Sequence, residues 1–269
     1  MKYIIDNDLH VHTGLSLCSG DSEQNPQNIL RFAEENGIKT ICITDHFWDS
    51  EVPNDSISDW YKTQDFAHIS QALPLPQSKN VKMLFGCEGE MHRGDLNIGI
   101  APNKYDKFDF MIVTTTHFHI KDVAVFPDEV KDTESRVKTW LTRFERVLDS
   151  DLPLHKVGIS HLTVGLLAPT FEERLELIDS LPENDLKNLF TRAAQKGVGI
   201  ELNAYDVGAF EKDEVILRPY KIAKKCGCKF YLGSDAHHLG TLSGALPLFE
   251  KVIDALNLTE DDKYNHLAL

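Results

Sequence analysis

Six of the twelve histidines in this chain stand where short apolar runs stop. His10 and His12 lie in DLHVHT, His46 in CITDH, His117 in VTTTH, His161 in GISH and His237 in GSDAHH. Two carboxylates sit in similar places: Glu88 ends the apolar run of LFGCEGE, and Asp235 precedes His237 by two residues. Imidazole and carboxylate without thiolate suit Zn²⁺, Mn²⁺ or Fe²⁺. Six imidazoles and two carboxylates exceed the capacity of one ion, so two or three divalent ions are implied, with Glu88 able to bridge two of them. Clustered divalent ions lower the pKa of a water toward neutrality, polarise an electrophile and stabilise both entering and leaving oxygens. Phosphate ester hydrolysis asks for this chemistry.

Each motif alone is a weak signal. Residues two apart on a strand share a face, so His10 and His12 can meet one cation, as can Asp235 and His237. Their coincidence is what matters. Burying so many polar groups without partners would cost several kcal/mol.

These residues need a scaffold that gathers strand ends. Strands are expected over residues 3–11, 40–44, 81–87, 108–115, 156–160, 198–202 and 229–233, all short and mostly apolar. Helices are expected over 26–36, opened by Asn25-Pro26 and closed by Asn36-Gly37, and over 135–148, 171–181, 184–195, 213–225 and 245–256. A short helix is expected within 59–71 and a hairpin within 91–106. Strands alternating with helices predict a parallel sheet. Ligands from nearly every strand favour a closed barrel, which brings all C-terminal strand ends around one cavity, over an open doubly wound sheet.

Composition sets bounds. The 269 residues, 42% hydrophobic and 26% charged, fit an ordinary globular protein, read here as one domain spanning 1–269. No segment approaches a membrane span and the N-terminus has no apolar signal core, which reads as cytoplasmic. The formal net charge of −14 argues against a broad nucleic-acid footprint, although bound cations leave an anionic substrate possible. Five cysteines form no C-x-x-C pair. Cys42 and Cys87 read as buried small hydrophobes, and Cys226-Gly-Cys228 lacks the usual zinc spacing.

In this order, DLHVHT, ITDH, GCEGE, TTH, GISH and GSDAH resemble the polymerase and histidinol phosphatase (PHP) family, from about residue 5 to 240. The resemblance implies a distorted (β/α)7 TIM-like barrel with a trinuclear metal centre at the C-terminal ends of its strands. It implies His10, His12, Glu88 and Asp235 around a first ion, and Glu88, His117 and His161 around a second. Asp21, His46 and His237 would hold a third. Asp21 rests on its place in CSGD, where members carry Asp or His. Glu90 competes with Glu88, and His119 with His117, by strand period. His238 reads as peripheral, and His68, His92, His155 and His266 as ordinary surface or loop residues.

The expected activity is hydrolysis of a small phosphomonoester, histidinol-phosphatase-like, by a hydroxide bridging the ions. Asp235 or His237 would pass a proton to the leaving alkoxide. Arg93, in EMHRGD, is the leading phosphate-binding cation, ahead of Lys121, Arg136 and Lys104. Asn203 could donate into the cavity, and Asp8 and Asp45 could orient ligands, Asp8 only through backbone groups. The alternatives are an amidohydrolase-type C–N hydrolase, a PHP phosphodiesterase or nuclease, and a non-catalytic metal-binding module. The missing middle-strand lysine disfavours the first, and the near-complete ligand set the last.

Overall fold

The computed structural model describes residues 1–53, 57–121 and 123–264. Its strands are β1 (Asn7–Val11), β2 (Thr40–Ile43), β3 (His46–Phe47), β4 (Lys82–Gly89), β5 (Phe110–Thr114), β6 (Val157–Ser160), β7 (Gly199–Asn203) and β8 (Lys229–Gly233). All pair in parallel along the path β1-β2-β4-β5-β6-β7-β8. The two-residue β3 pairs with β4 at the same stagger as β2, Ile43 opposite Phe85 and His46 opposite Glu88. It therefore continues β2 after a break at Thr44-Asp45, and the expected count of seven strands holds.

The sheet is nearly closed. Along most of the β1–β8 seam, side chains stand in for a backbone ladder. Asn7 Oδ1 accepts the Leu232 amide at 3.1 Å and Asp8 Oδ1 accepts the Ser234 amide at 3.0 Å. Beyond the strands, the Asp235 amide donates to the His10 carbonyl at 2.8 Å and Val11 bridges to Ala236. Every residue of β1, β5 and β7 is buried, as required of strands covered on both faces.

The helices are α1 (Pro26–Glu35), the single turns α2 (Asp59–Lys62) and α3 (Phe66–Ile69), α4 (Thr133–Leu148), α5 (Phe171–Ser180), α6 (Glu183–Lys196), α7 (Ala204–Gly208), α8 (Arg218–Lys225) and α9 (Leu239–Leu256). The Asn25 side chain caps α1 by accepting the Asn28 amide at 3.0 Å. The helix expected over 213–225 is a 3₁₀ turn (Glu214–Leu217) followed by α8, with Pro219 in its first turn. α9 begins six residues before the expected Ala245 and contains Pro247. Its buried face of Leu242, Ala245, Phe249, Val252, Ile253 and Leu256 outweighs the amide that proline lacks. The expected hairpin reduces to one antiparallel bridge, Met91 to Ile98, with a 3₁₀ turn over Pro102–Lys107. Among the described residues no helix is long and apolar enough to cross a membrane. His266 lies outside them.

Candidate metal centre

The strand ends converge as a barrel requires. His10 and His12 come from β1 and the residue after it, His46 from β3, Glu88 from β4. His117, His161, Asp235 and His237 follow β5, β6 and β8. The ligating atoms form four overlapping groups in which all lie within 4.8 Å of one another: His10, His12 and Glu88; Glu88, His117 and His161; His12, His46 and His237; and His10, His161 and Glu201. Asp235 joins the first, with Oδ1 at 3.0 Å from His12 Nε2 and 3.5 Å from His10 Nε2.

Glu88 is the hub. Its side chain is 1% exposed, and neither carboxylate oxygen accepts a hydrogen bond. Oε1 stands 3.3 Å from His10 Nε2 and 3.4 Å from His161 Nε2, while Oε2 stands 2.7 Å from His46 Nδ1 and 3.4 Å from His12 Nε2. A buried carboxylate with two orphaned oxygens inside a ring of imidazoles is a costly arrangement for a structural role. It suits a ligand that bridges cations, so the residues fit the divalent metals their types imply.

Most of the rings are oriented by a hydrogen bond on the other nitrogen. His10 Nδ1 meets Glu201 Oε1 at 2.5 Å, His12 Nδ1 meets Ser16 Oγ at 2.8 Å, His117 Nδ1 meets Glu90 Oε2 at 2.7 Å and His161 Nδ1 meets Asp206 Oδ2 at 2.8 Å. Each leaves Nε2 for the centre. Glu90 is thereby distinguished from Glu88: its oxygens also take Tyr61 Oη, the Met91 amide and Arg143 Nη2. Asp45 acts one bond further out, accepting Ser16 Oγ at 2.7 Å. Asp8 accepts the His10 amide at 3.3 Å, a backbone role.

Backbone strain collects here. His161 and Asp235 have φ of 60° and 52° without being glycine, which costs on the order of 1–3 kcal/mol each. The Glu201 carboxylate holds the His161 amide at 2.9 Å, and the His10 carbonyl holds the Asp235 amide at 2.8 Å. Gly233 makes room for this: a β-carbon there would lie 2.9 Å from both Glu201 Cδ and His10 Cβ.

Electrostatically the cluster is built to receive positive charge. Burial opposes a charge on His10, but Glu201, Glu88 and Asp235 outweigh it and raise its pKa well above the usual value. His46 rises to about 10 against burial, chiefly through Glu88. Burial would raise the Glu88 pKa, yet His46 and His10 hold it well below the carboxylate range. His12 moves the other way, lowered by burial and His237, whose ring stacks on it at 4.2 Å. The Cys18 thiol is drawn down to about 7 against burial by hydrogen bonds from His237 and His46.

A cavity of about 500 Å³ opens onto the cluster. Glu88, His46, His117, His119, His161, Asp235, His237 and Cys18 line one side, and Trp60, Tyr61, Ile120, Val164 and Leu166 supply an apolar side. His119 lies on this wall, its pKa lowered to about 4 by partial desolvation there and by His117.

Two expected residues are placed elsewhere. Asp21 Oδ1 accepts the Glu23 amide at 2.9 Å, a turn role, and none of the four ligand groups includes it. Arg93 is not among the residues that line the cavity. The Met91–Ile98 bridge carries it off, where Nη1 donates to the Lys121 carbonyl at 2.9 Å and the guanidinium lies 4.8 Å over Phe126. Lys104 pairs with Glu51. Lys121 and Arg136 line a cleft that shares His119 and Leu166 with the cavity. Asn203 turns its oxygen to cap α7, and its buried Nδ2 has no hydrogen-bond partner. His68 bonds the Leu15 carbonyl, His92 pairs with Asp95 and His238 is exposed before α9.

Glu201 and Asp206 were not found from the sequence. The signal available for Glu201 was a lone carboxylate in the apolar strand GIELN, two residues before Asn203 on the same strand face.

A PHP domain family model matches residues 8–205. A probable phosphatase of Caldicellulosiruptor bescii is 23% identical over 252 residues, covering 93% of this chain and 86% of that protein. Among solved structures, a putative histidinol phosphatase from Listeria monocytogenes superposes with a TM-score of 0.58 at 12% identity, covering 88% of this chain and 97% of its own. A histidinol phosphate phosphatase from Lactococcus lactis, complexed with zinc, L-histidinol and phosphate, superposes with a TM-score of 0.52 at 18% identity over 93% and 94%. The two superpositions support the nearly closed α/β barrel described above.

Proposed function

The chain belongs to the PHP domain family, and from that premise we propose that residues 1–269 form one metal-dependent phosphoesterase domain that hydrolyses a small phosphomonoester in the manner of a histidinol phosphatase. The observation that carries this reading is Glu88, buried with two unbonded oxygens among the rings of His10, His12, His46 and His161. His10, His12, Glu88 and Asp235 would hold one divalent ion, and Glu88, His117 and His161 a second. His46 and His237 would contribute to a third. Such ions supply an activated water and offset the charge of the phosphoryl transition state.

The chain's own residues do the rest. Glu201, Ser16, Glu90 and Asp206 hold the Nδ1 atoms so that each ring presents Nε2. Asp235 or His237, at the cavity wall, would pass to the leaving alkoxide oxygen the proton released by the attacking water. Trp60, Tyr61, Ile120, Val164 and Leu166 receive the organic part of the ester and exclude water from one side. Lys121 and Arg136, in the adjoining cleft, replace Arg93 as the cations nearest a phosphorylated substrate. The net charge of −14 favours a small anion neutralised by metals over a long nucleic acid.

Zinc and L-histidinol, bound by the Lactococcus lactis protein, are the first cofactor and leaving group to try. The test is elemental analysis with a panel of phosphomonoesters and diesters assayed with Zn²⁺, Mn²⁺ or Fe²⁺. Phosphate release from monoesters is expected. Fewer than about two ions per chain together with no phosphate release would overturn the reading.

A further inference from the structure

We propose that Cys18 is a thiolate ligand on the His46–His237 side of the metal centre, in the place the resemblance gives to Asp21. This rests on the metalloenzyme reading above. His12 Nδ1 is committed to Ser16, so His12 has only Nε2 to offer. That atom lies 3.1 Å from His10 Nε2 and 3.0 Å from Asp235 Oδ1, with the first set of ligands. His46 and His237 are then the only rings left for a third ion among the described groups. Two neutral imidazoles are a thin set for a divalent cation; an anionic partner is required.

The structure supplies two. Glu88 Oε2, buried and without a hydrogen-bond donor, faces His46 Nδ1 at 2.7 Å. Cys18 lines the same cavity as His46, His237 and Glu88. Its loop is pinned there: Ser19 Oγ donates to the His237 carbonyl at 2.7 Å, and the Ser19 amide to the Ser16 carbonyl at 2.8 Å. Asp21, three residues on, is turned to the Glu23 amide. A thiolate brings the single negative charge that a carboxylate would, but it is softer. It biases this ion toward zinc and away from magnesium or manganese.

The test reconstitutes the metal-free full chain with Co²⁺ and reads the sulfur-to-cobalt charge-transfer band in the near ultraviolet, a signal independent of turnover. The band is expected in the parent and in Cys226→Ser, and is lost in Cys18→Ser. The same variant should retain one ion more weakly by more than about tenfold. Zinc X-ray absorption should show one sulfur at about 2.3 Å. Cobalt bound without the band, or a band that survives in Cys18→Ser, overturns the proposal while leaving the phosphoesterase reading in place. A chain that binds no cobalt, zinc or manganese overturns both.

Discussion

His10 and Glu201 meet across the barrel through a 2.5 Å contact between Nδ1 and Oε1, both side chains fully buried. The same carboxylate holds the His161 amide through Oε2 at 2.9 Å. One residue of β7 therefore sets the ring of one metal-ligand candidate and the strained backbone of another. Replacing Glu201 with Gln keeps the shape but weakens the acceptor that fixes the His10 tautomer. Metal affinity is expected to fall by about 10- to 100-fold, read by titrating the metal-free protein with zinc. Unchanged affinity would show that Glu201 only fills space.

Legibility in the sequence followed reach along the chain. Strand ends announced themselves because period-two spacing and apolar runs are local patterns, which is why His10, His12, His46, Glu88, His117, His161, Asp235 and His237 all gather at one cavity or its floor. Apart from Ser16, four positions from His12, their orienting partners are separated from them by 27 to 191 positions, as in His117–Glu90 and His10–Glu201, and no local pattern joins those. Arg93 stands near Glu88 in sequence but does not line the cavity, because a backbone bridge turns the chain away two residues earlier. Cys18 carries no such signal, because a donor set without thiolate already accounts for the chemistry.

Arg93 and Trp60 make a sharp comparison. Arg93→Ala removes a guanidinium held by the Lys121 carbonyl and Phe126, outside the cavity. It should change kcat/KM by no more than about twofold, within the ~0.5 kcal/mol typical of surface substitutions. Trp60→Ala removes part of the apolar wall, and KM for an aromatic or alicyclic monoester should rise about tenfold, equivalent to losing ~1–2 kcal/mol of apolar burial. Steady-state kinetics on both variants decides; a large loss in Arg93→Ala would restore its phosphate role.

Metal loading should expel protons. In the metal-free protein the carboxylates raise the pKa values of His10, His46 and His161, His46 to about 10, so these rings carry protons at neutral pH. Metals need bare nitrogens, so binding must displace those protons, and affinity rises with pH up to the range in which the rings lose them unaided. Calorimetric titration with zinc in two buffers of different ionisation enthalpy should report more than about one proton released per ion. Identical apparent enthalpies in the two buffers would rule this out.

The barrel seam should carry a pH signature of its own. Asp8 Oδ1 accepts the Ser234 amide across the β1–β8 gap and the His10 amide on its own strand. The side chain is buried, and burial raises its pKa from the ordinary 3.8 to about 7 despite those hydrogen bonds. The folded pKa thus exceeds the unfolded one, so the protonated form favours folding. Its contribution is complete below about pH 3.8 and declines as pH rises toward about 7. Between those limits the native state binds one proton more than the unfolded state, and stability falls by about 1 kcal/mol per pH unit from this group alone. Asp8→Asn retains an oxygen for the two amides and cannot ionise. In denaturant melts of the metal-free protein from pH 4 to 7, the variant should lose that downward slope relative to the parent. Parallel curves would mean that Asp8 stays ionised in the seam.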